Sequence, residues 1–208
     1  KKQEGSYFDV FFNQTFNYDK RNQSYKTSDG YISRFTQNVP LVSEGYTLTN
    51  AYDYKIYNTW LNENIFSLGF FAKAANSLTG ENVKLSDRLF LPSSKLRGFE
   101  SGKIGPKDGA DYIGGNYAAS VNLATTLPQV LPNLQNTNLS IFFDAANVWG
   151  VDYFRGDDEG GSDIRSSIGI ALDFFTPIGP INFALTEPIT KGKSDITESF
   201  RFNIGTTF

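Results

Sequence analysis

The 208-residue chain contains no Cys, no His and no Met, and its 19 Lys and Arg against 22 Asp and Glu leave a net charge of −3. Without Cys there is no disulfide framework or thiol nucleophile; without His there is no imidazole base and no usual zinc site. A slightly acidic chain lacks the basic footprint of a nucleic-acid binder, so no nucleic-acid partner is expected.

Aromatic residues are abundant, with 19 Phe and 11 Tyr, and they favour strands. No run of 18 uncharged apolar residues offers a transmembrane helix. Lys1-Lys2-Gln3-Glu4 leads into alternating residues without a signal peptide. The missing initiator Met leads us to expect a processed protein or a fragment.

Apolar residues return at period 2 rather than 3.6, which predicts strands. In the first, Phe8, Val10, Phe12, Phe16 and Tyr18 oppose Asp9, Asn13, Thr15 and Asn17. Tyr31 to Thr36 is a weaker second strand. From Tyr46 to Trp60, Leu48, Tyr52, Tyr54 and Ile56 oppose Thr49, Asp53 and Lys55. Phe66, Leu68, Phe70, Ala72 and Ala74 then oppose Ser67, Gly69 and Lys73. After a long irregular region, Tyr117, Ala119, Val121, Leu123 and Leu127 oppose Ser120, Asn122 and Thr126. The same alternation sets Leu139, Ile141, Phe143 and Ala145 against Ser140 and Asp144, and Ile168, Ile170, Leu172 and Phe174 against Ser167, Gly169 and Asp173. Ile181, Phe183 and Leu185 oppose Asn182 and Thr186. In the terminal strand Phe200, Phe202, Ile204 and Phe208 oppose Arg201, Asn203, Gly205 and Thr207.

Strands that are apolar on one face and polar on the other suit a wall between lipid and a wet lumen, and most are near the roughly 9–11 residues a tilted strand needs to cross a bilayer. The expected fold is all-β, an antiparallel transmembrane β-barrel. The connections 40–45, 61–64, 128–138 and 177–180 read as the short side, and 21–30, 77–116, 150–164 and 190–198 as the long side. Nine strands is an odd count, whereas bacterial single-chain barrels use even numbers. Either one strand is misassigned or the chain is the C-terminal part of a larger barrel.

The connection 77–116 is long enough to suggest a function of its own. It carries Arg97-Gly98-Phe99, then Ile104-Gly105-Pro106, then Gly114-Gly115-Asn116. Phe142-Phe143-Asp144 with Val148-Trp149, Ser162-Asp163-Ile164-Arg165, Thr176-Pro177-Ile178-Gly179-Pro180 and Phe202-Asn203-Ile204-Gly205 follow in order. This ordered series closely resembles the BamA (outer-membrane-protein assembly) family, from about Asp9 to Phe208 and most strongly from Leu89 onward. The resemblance implies that residues 1–208 are about nine C-terminal strands of a sixteen-stranded barrel in the bacterial outer membrane, with periplasmic domains absent from this chain. It implies a lumen-directed loop whose Arg97 is held by an acidic wall residue, for which Asp144 matches. A second acidic position of the family is Ala124 here, which leaves Asp173 as the other carboxylate to consider. Arg fits a carboxylate with a planar fork of donors, and Gly98 permits a backbone shape other residues resist. Gly114, Gly115 and Asn116 would form the loop-to-strand hinge. Phe202, Ile204, Gly205 and Phe208 belong to a terminal strand that the resemblance places at a lateral seam, and Gly205 would weaken or bend it.

The function implied is folding and inserting nascent outer-membrane proteins, with outer-membrane lipid and the accessory lipoproteins of an assembly complex as further partners. No catalytic constellation, cofactor or metal site is expected; the acidic run Asp157 to Asp163 lacks EF-hand spacing and reads as a solvated outer loop. A TamA-like assembly factor, a two-partner secretion transporter, and a passive barrel or pore are the alternatives.

Overall fold

In the computed structural model, which describes residues 8–24, 26–60, 64–127, 137–152, 163–176 and 179–204, the alternating segments are long antiparallel strands. They are β1 (Val10–Asp19), β2 (Gly30–Val42), β3 (Thr47–Trp60) and β4 (Asn64–Ser77), then β7 (Tyr117–Leu127), β8 (Thr137–Trp149), β9 (Arg165–Thr176), β10 (Gly179–Thr190) and β11 (Phe200–Ile204). Two short strands, β5 (Lys107–Asp108) and β6 (Asp111–Tyr112), form a separate ladder within the connection from β4 to β7. The nine wall strands hydrogen-bond in the order β1-β2-β3-β4-β7-β8-β9-β10-β11. Among the described residues the outer edges of β1 and β11 have no ladder partner.

Register fixes which side chains share a face. Phe70, Val121, Ile141, Ile170, Leu185 and Phe202 are exposed on one face, while Ser67, Ser120, Asp144, Ser167 and Asn182 are buried on the other. A soluble sheet has the opposite habit; an apolar outer face and a polar inner face suit lipid outside and polar contents inside. The inner face is occupied by the 78–116 connection, whose Leu89, Leu91, Leu96, Phe99 and Ile104 pack on Phe71, Ala75, Ala118, Ala146 and Val148 of the wall. Two 3₁₀ turns, Leu85–Asp87 and Ser93–Lys95, shape this connection.

One short segment shows how strongly the sheet curls. Lys95 reaches Asp53 of β3, and Phe99 reaches Arg201 of β11. Six strand spacings separate β3 from β11, about 29 Å if the sheet were flat. Four residues extend no more than about 14 Å. The long Lys95 and Arg201 side chains cover part of the difference, and curvature of the wall around the loop covers the rest.

Three sequence expectations change. The second strand is not weak: β2 runs through Pro40 to Val42, and β10 runs through Pro188. Pro40 pairs beside a register shift in β1, and Pro188 beside one in β10. Proline lacks an N–H to give the ladder, and such irregularities are where a strand tolerates it. The side of the first two connections is also reversed. Successive strands of an up-and-down sheet reverse direction, so 21–30 lies at the end of the sheet where β3 stops and β4 starts, and 40–45 lies with 77–116. Finally, the 77–116 region is not wholly irregular, since β5 and β6 lie in it.

Ile170 tests the assignment of faces, because it is 49% exposed on the outer face of β9. Ile170→Lys should destabilise the protein folded in phospholipid vesicles, by about 2–4 kcal/mol if the site lies at the bilayer midplane. Denaturant titration measures this, and an unchanged midpoint would mean that the face meets water.

Candidate functional site

The 3₁₀ turn Ser93–Lys95 directs the following residues onto the inner face of the wall, and Arg97 lands on β8. Its Nε donates to Asp144 Oδ2 at 2.7 Å and its Nη2 to Oδ1 at 2.8 Å. This is the two-bond fork that a planar guanidinium makes with a carboxylate. The Arg97 backbone N–H donates to Oδ2 at 3.1 Å. Asn122, directly opposite Asp144 in the β7–β8 ladder, donates to Oδ1 at 2.8 Å. The carboxylate is fully buried yet accepts four bonds, and Arg97 is only 7% exposed. The guanidinium carbon lies 3.4 Å from the centre of the Phe142 ring, a cation–π contact. Ser167, opposite Asp144 on β9, donates its hydroxyl to the Arg97 carbonyl at 2.6 Å.

The rest of the motif extends the anchor across the barrel. Gly98 has φ +86°, and a Cβ there would stand 2.5 Å from Thr186 Cγ2 of β10, so both conformation and space call for glycine. Phe99 is buried and bridges Thr197. Glu198 N–H donates to the Gly98 carbonyl at 3.1 Å, and Glu100 N–H to the Ile196 carbonyl at 2.9 Å. The loop is thereby stitched to the connection between β10 and β11. Ile104 and Pro106 are buried, and Gly105 lies against Val148. Gly114, at φ +66°, brings the backbone close to the Leu89 carbonyl, and Gly115 forms a bridge with Leu89. Asn116 donates to Asp152 at 2.6 Å, and Asp152 also accepts the Val83 N–H at 2.7 Å. The end of the loop is thus tied to the segment after β8.

Phe202 and Ile204 face outward on β11 and are exposed. Gly205 and Phe208 lie outside the described residues. Asp173 accepts from Asn182 at 2.6 Å rather than from Arg97. It shares with Arg97, Asp53, Lys55, Lys95 and Arg21 the lining of a cavity of about 440 Å³ on the other side of the anchor.

Sequence reading gave no role to Asn122, Phe142, Ser167, Arg165 or Arg201. Phe142-Phe143 and Phe70-Phe71 are doubled aromatics in period-2 segments, so one of each pair must point inward; that was the available signal for Phe142 and Phe71. The others depend on register. Arg165 makes a second buried ion pair, its Nε donating to Asp195 Oδ2 at 2.8 Å and its Nη2 to Oδ1 at 3.2 Å. Gly192 N–H donates to Asp195 Oδ2 at 2.6 Å, so this pair holds the β10–β11 connection. Tyr112 donates its hydroxyl to the Ser194 carbonyl of the same connection. Burial, then the Asp195 and Glu100 carboxylates, raises the Tyr112 phenol above its ordinary value. No cluster of three or more potential metal ligands occurs among the described residues.

Comparison with known proteins agrees with these features. The Omp85 superfamily domain matches residues 1–208. Outer membrane protein assembly factor BamA of Neorickettsia risticii is 27% identical over 145 residues, covering 68% of this chain and 19% of that protein. The sorting assembly machinery 50 kDa subunit of Saccharomyces cerevisiae is 25% identical over 223 residues, covering 99% of this chain and 44% of that protein. The crystal structure of BamA from Haemophilus ducreyi lacking POTRA domains 1-3 superimposes with a TM-score of 0.81 at 27% identity, over 92% of this chain and 41% of that one. The chain therefore spans less than half the length of each of these relatives.

Removing one partner of a buried ion pair strands the other charge, at a cost of about 3–5 kcal/mol. Arg97→Ala and Asp144→Ala should each destabilise the docked loop by that order, and the double variant should lose much less than the sum. Limited proteolysis between Ser77 and Asn116 measures loop release. Additive losses would show that the two residues act separately.

Proposed function

Because the chain belongs to the Omp85 superfamily, we propose that it is barrel sequence from an outer-membrane assembly factor, folding nascent β-barrel proteins and inserting them into the membrane beside its last strand. In this reading residues 1–208 are the C-terminal part of a sixteen-stranded barrel, with periplasmic domains elsewhere in the intact protein. The membrane is the outer membrane of a bacterium or a mitochondrion, and more narrowly a bacterial one. Nascent outer-membrane proteins are the clients, outer-membrane lipid is the surrounding solvent, and accessory lipoproteins bind the intact protein. It is an assembly factor rather than an enzyme.

The supporting observation is a lumenal loop locked to the wall and stitched to the segment that leads into the last strand. The Arg97–Asp144 pair fixes the loop to the wall, and the loop in turn contacts the segment leading into β11. Phe202 and Ile204 give β11 a lipid-compatible outer face, and in a sixteen-stranded barrel its outer edge would meet the first strand at the seam through which a client enters. An unpaired edge templates an incoming strand through backbone hydrogen bonds. In hydrocarbon those bonds face little competition from water, so pairing of the client supplies the driving force without a covalent step. Against a passive pore stands the loop, whose Leu96, Phe99 and Ile104 are buried against the inner wall.

The test is rescue of cells depleted of their native assembly protein by the full-length polypeptide carrying this sequence. Wild type should restore outer-membrane protein levels; Arg97→Ala and Asp144→Ala, at matched abundance in the membrane, should not. A well-folded wild type that fails to rescue would turn the assignment toward a transporter of the same superfamily.

A further inference from the structure

Terminal strand β11 is described over Phe200–Ile204. It pairs with β10 from Ile181↔Ile204 to Leu185↔Phe200. Phe200, Phe202 and Ile204 point outward, whereas Arg201 points inward, with a tenth of its side chain exposed. Its Nη1 donates to the Ser93 carbonyl at 2.7 Å and its Nη2 to the Phe99 carbonyl at 2.7 Å. Its Nε pairs with the Glu198 carboxylate.

The two carbonyls lie at opposite ends of segment 93–99, and Arg97 lies between them. One guanidinium therefore reaches from the loop to β8, and a second reaches from β11 to the loop. Arg201 serves three acceptors in different directions, which needs the planar fork of a guanidinium; an ammonium or a primary amide cannot reproduce it. Glu198 also matters, because its side chain is 31% exposed. If segment 93–99 moved away, Arg201 would keep a partly solvated partner, and no buried charge would be left alone.

We propose that Arg201 is a positioning residue that couples the lumenal loop to the terminal strand, so that β11 keeps its register and angle only while the Arg97 anchor is closed. The inference rests on the reading of β11 as the edge that receives client strands. When the anchor opens, segment 93–99 withdraws both carbonyls from Arg201. β11 then loses its side-chain hold from the lumenal side and keeps only its strand ladders. The loop thus sets how firmly the receiving edge is held.

Hydrogen–deuterium exchange on the full-length polypeptide in lipid nanodiscs tests this with wild type, Arg97→Lys, Arg201→Gln and the double variant. Arg201→Gln should speed exchange of the amides of residues 201–204 about tenfold, the loss of charge-assisted hydrogen bonds, while the β7–β8 ladder is unchanged. Arg97→Lys should speed the same amides in the wild-type background and add nothing in the Arg201→Gln background. Arg201→Lys should behave like Arg201→Gln, and it carries the same comparison if the Gln variant does not fold. Equal effects of Arg97→Lys in both backgrounds, or unchanged β11 exchange in the Arg201 variants, would overturn the coupling. Exchange is read without clients, so the two ideas fail separately. Failed rescue by wild type with intact coupling removes the assembly role alone, and intact rescue without coupling removes the latch alone.

Discussion

A guanidinium and a carboxylate buried together tolerate almost no freedom, and the inner architecture follows from satisfying the pair formed by Arg97 and Asp144. Removing both charges from water costs several kcal/mol per ion before any gain, so every lone pair and N–H needs a partner in place. Asn122 must stand across the ladder to complete the carboxylate, and Ser167 must stand on the other side to bind the Arg97 carbonyl. Phe142 must lie flat under the guanidinium, and residue 98 must lack a side chain so that the backbone can approach Thr186. One interaction therefore constrains the inner faces of β7, β8, β9 and β10 at a single level of the wall. Such a pair is a weak source of net stability, but a strong selector of one loop position over all others.

The same loop solves a packing problem that the sheet alone cannot. Its outer face is apolar, and among the described residues no long helix and no second large sheet packs on its inner face. The 78–116 connection supplies a layer from within, bringing Leu89, Leu91, Leu96, Phe99 and Ile104 onto Phe71, Ala118 and Val148. Apolar packing holds the loop over a broad area, and the ion pairs choose its register. The Arg165–Asp195 pair does the equivalent work for the next connection, so two neighbouring loops are each pinned by one buried arginine and then stitched to each other by backbone bonds such as Glu198 to Gly98.

Period-2 alternation made the wall strands, their faces and their number legible, because one residue in two has to meet a different solvent. Asp144 was legible through the family resemblance, and alternation added only that it sits on the polar face of its strand. What alternation cannot carry is register, the offset between one strand and the next. Asn122 and Ser167 are ordinary polar residues of their strands until the ladders bring both opposite Asp144. Ala124, at the position where the family resemblance implies an acid, lies opposite Phe142 and packs near it, and the polar role passes to Asn122 two residues earlier on the same face. Loop length misled for the first two connections, since chain topology rather than length assigns each to an end. The pairing of Arg165 with Asp195 joins residues 30 apart, and no local pattern announces it.

A strand that must remain available to another chain faces two demands that oppose each other. In hydrocarbon each unpaired backbone group costs several kcal/mol, so a free edge is driven to find a partner, correct or not. Strengthening its ladder would hold it but would do nothing for selectivity, and covering the edge would remove the function. Side chains on the lumenal face escape this conflict, because they lie perpendicular to the hydrogen-bonding edge. Arg201 is so placed: it fixes β11 from within through the Ser93 and Phe99 carbonyls and leaves the N–H and C=O groups of the outer edge free. A hold of this kind can also be released without unpairing any strand, since it consists of three polar bonds to a loop and an acid. The position of the receiving edge then becomes a property of the loop, and the loop is in turn set by the single buried pair on β8.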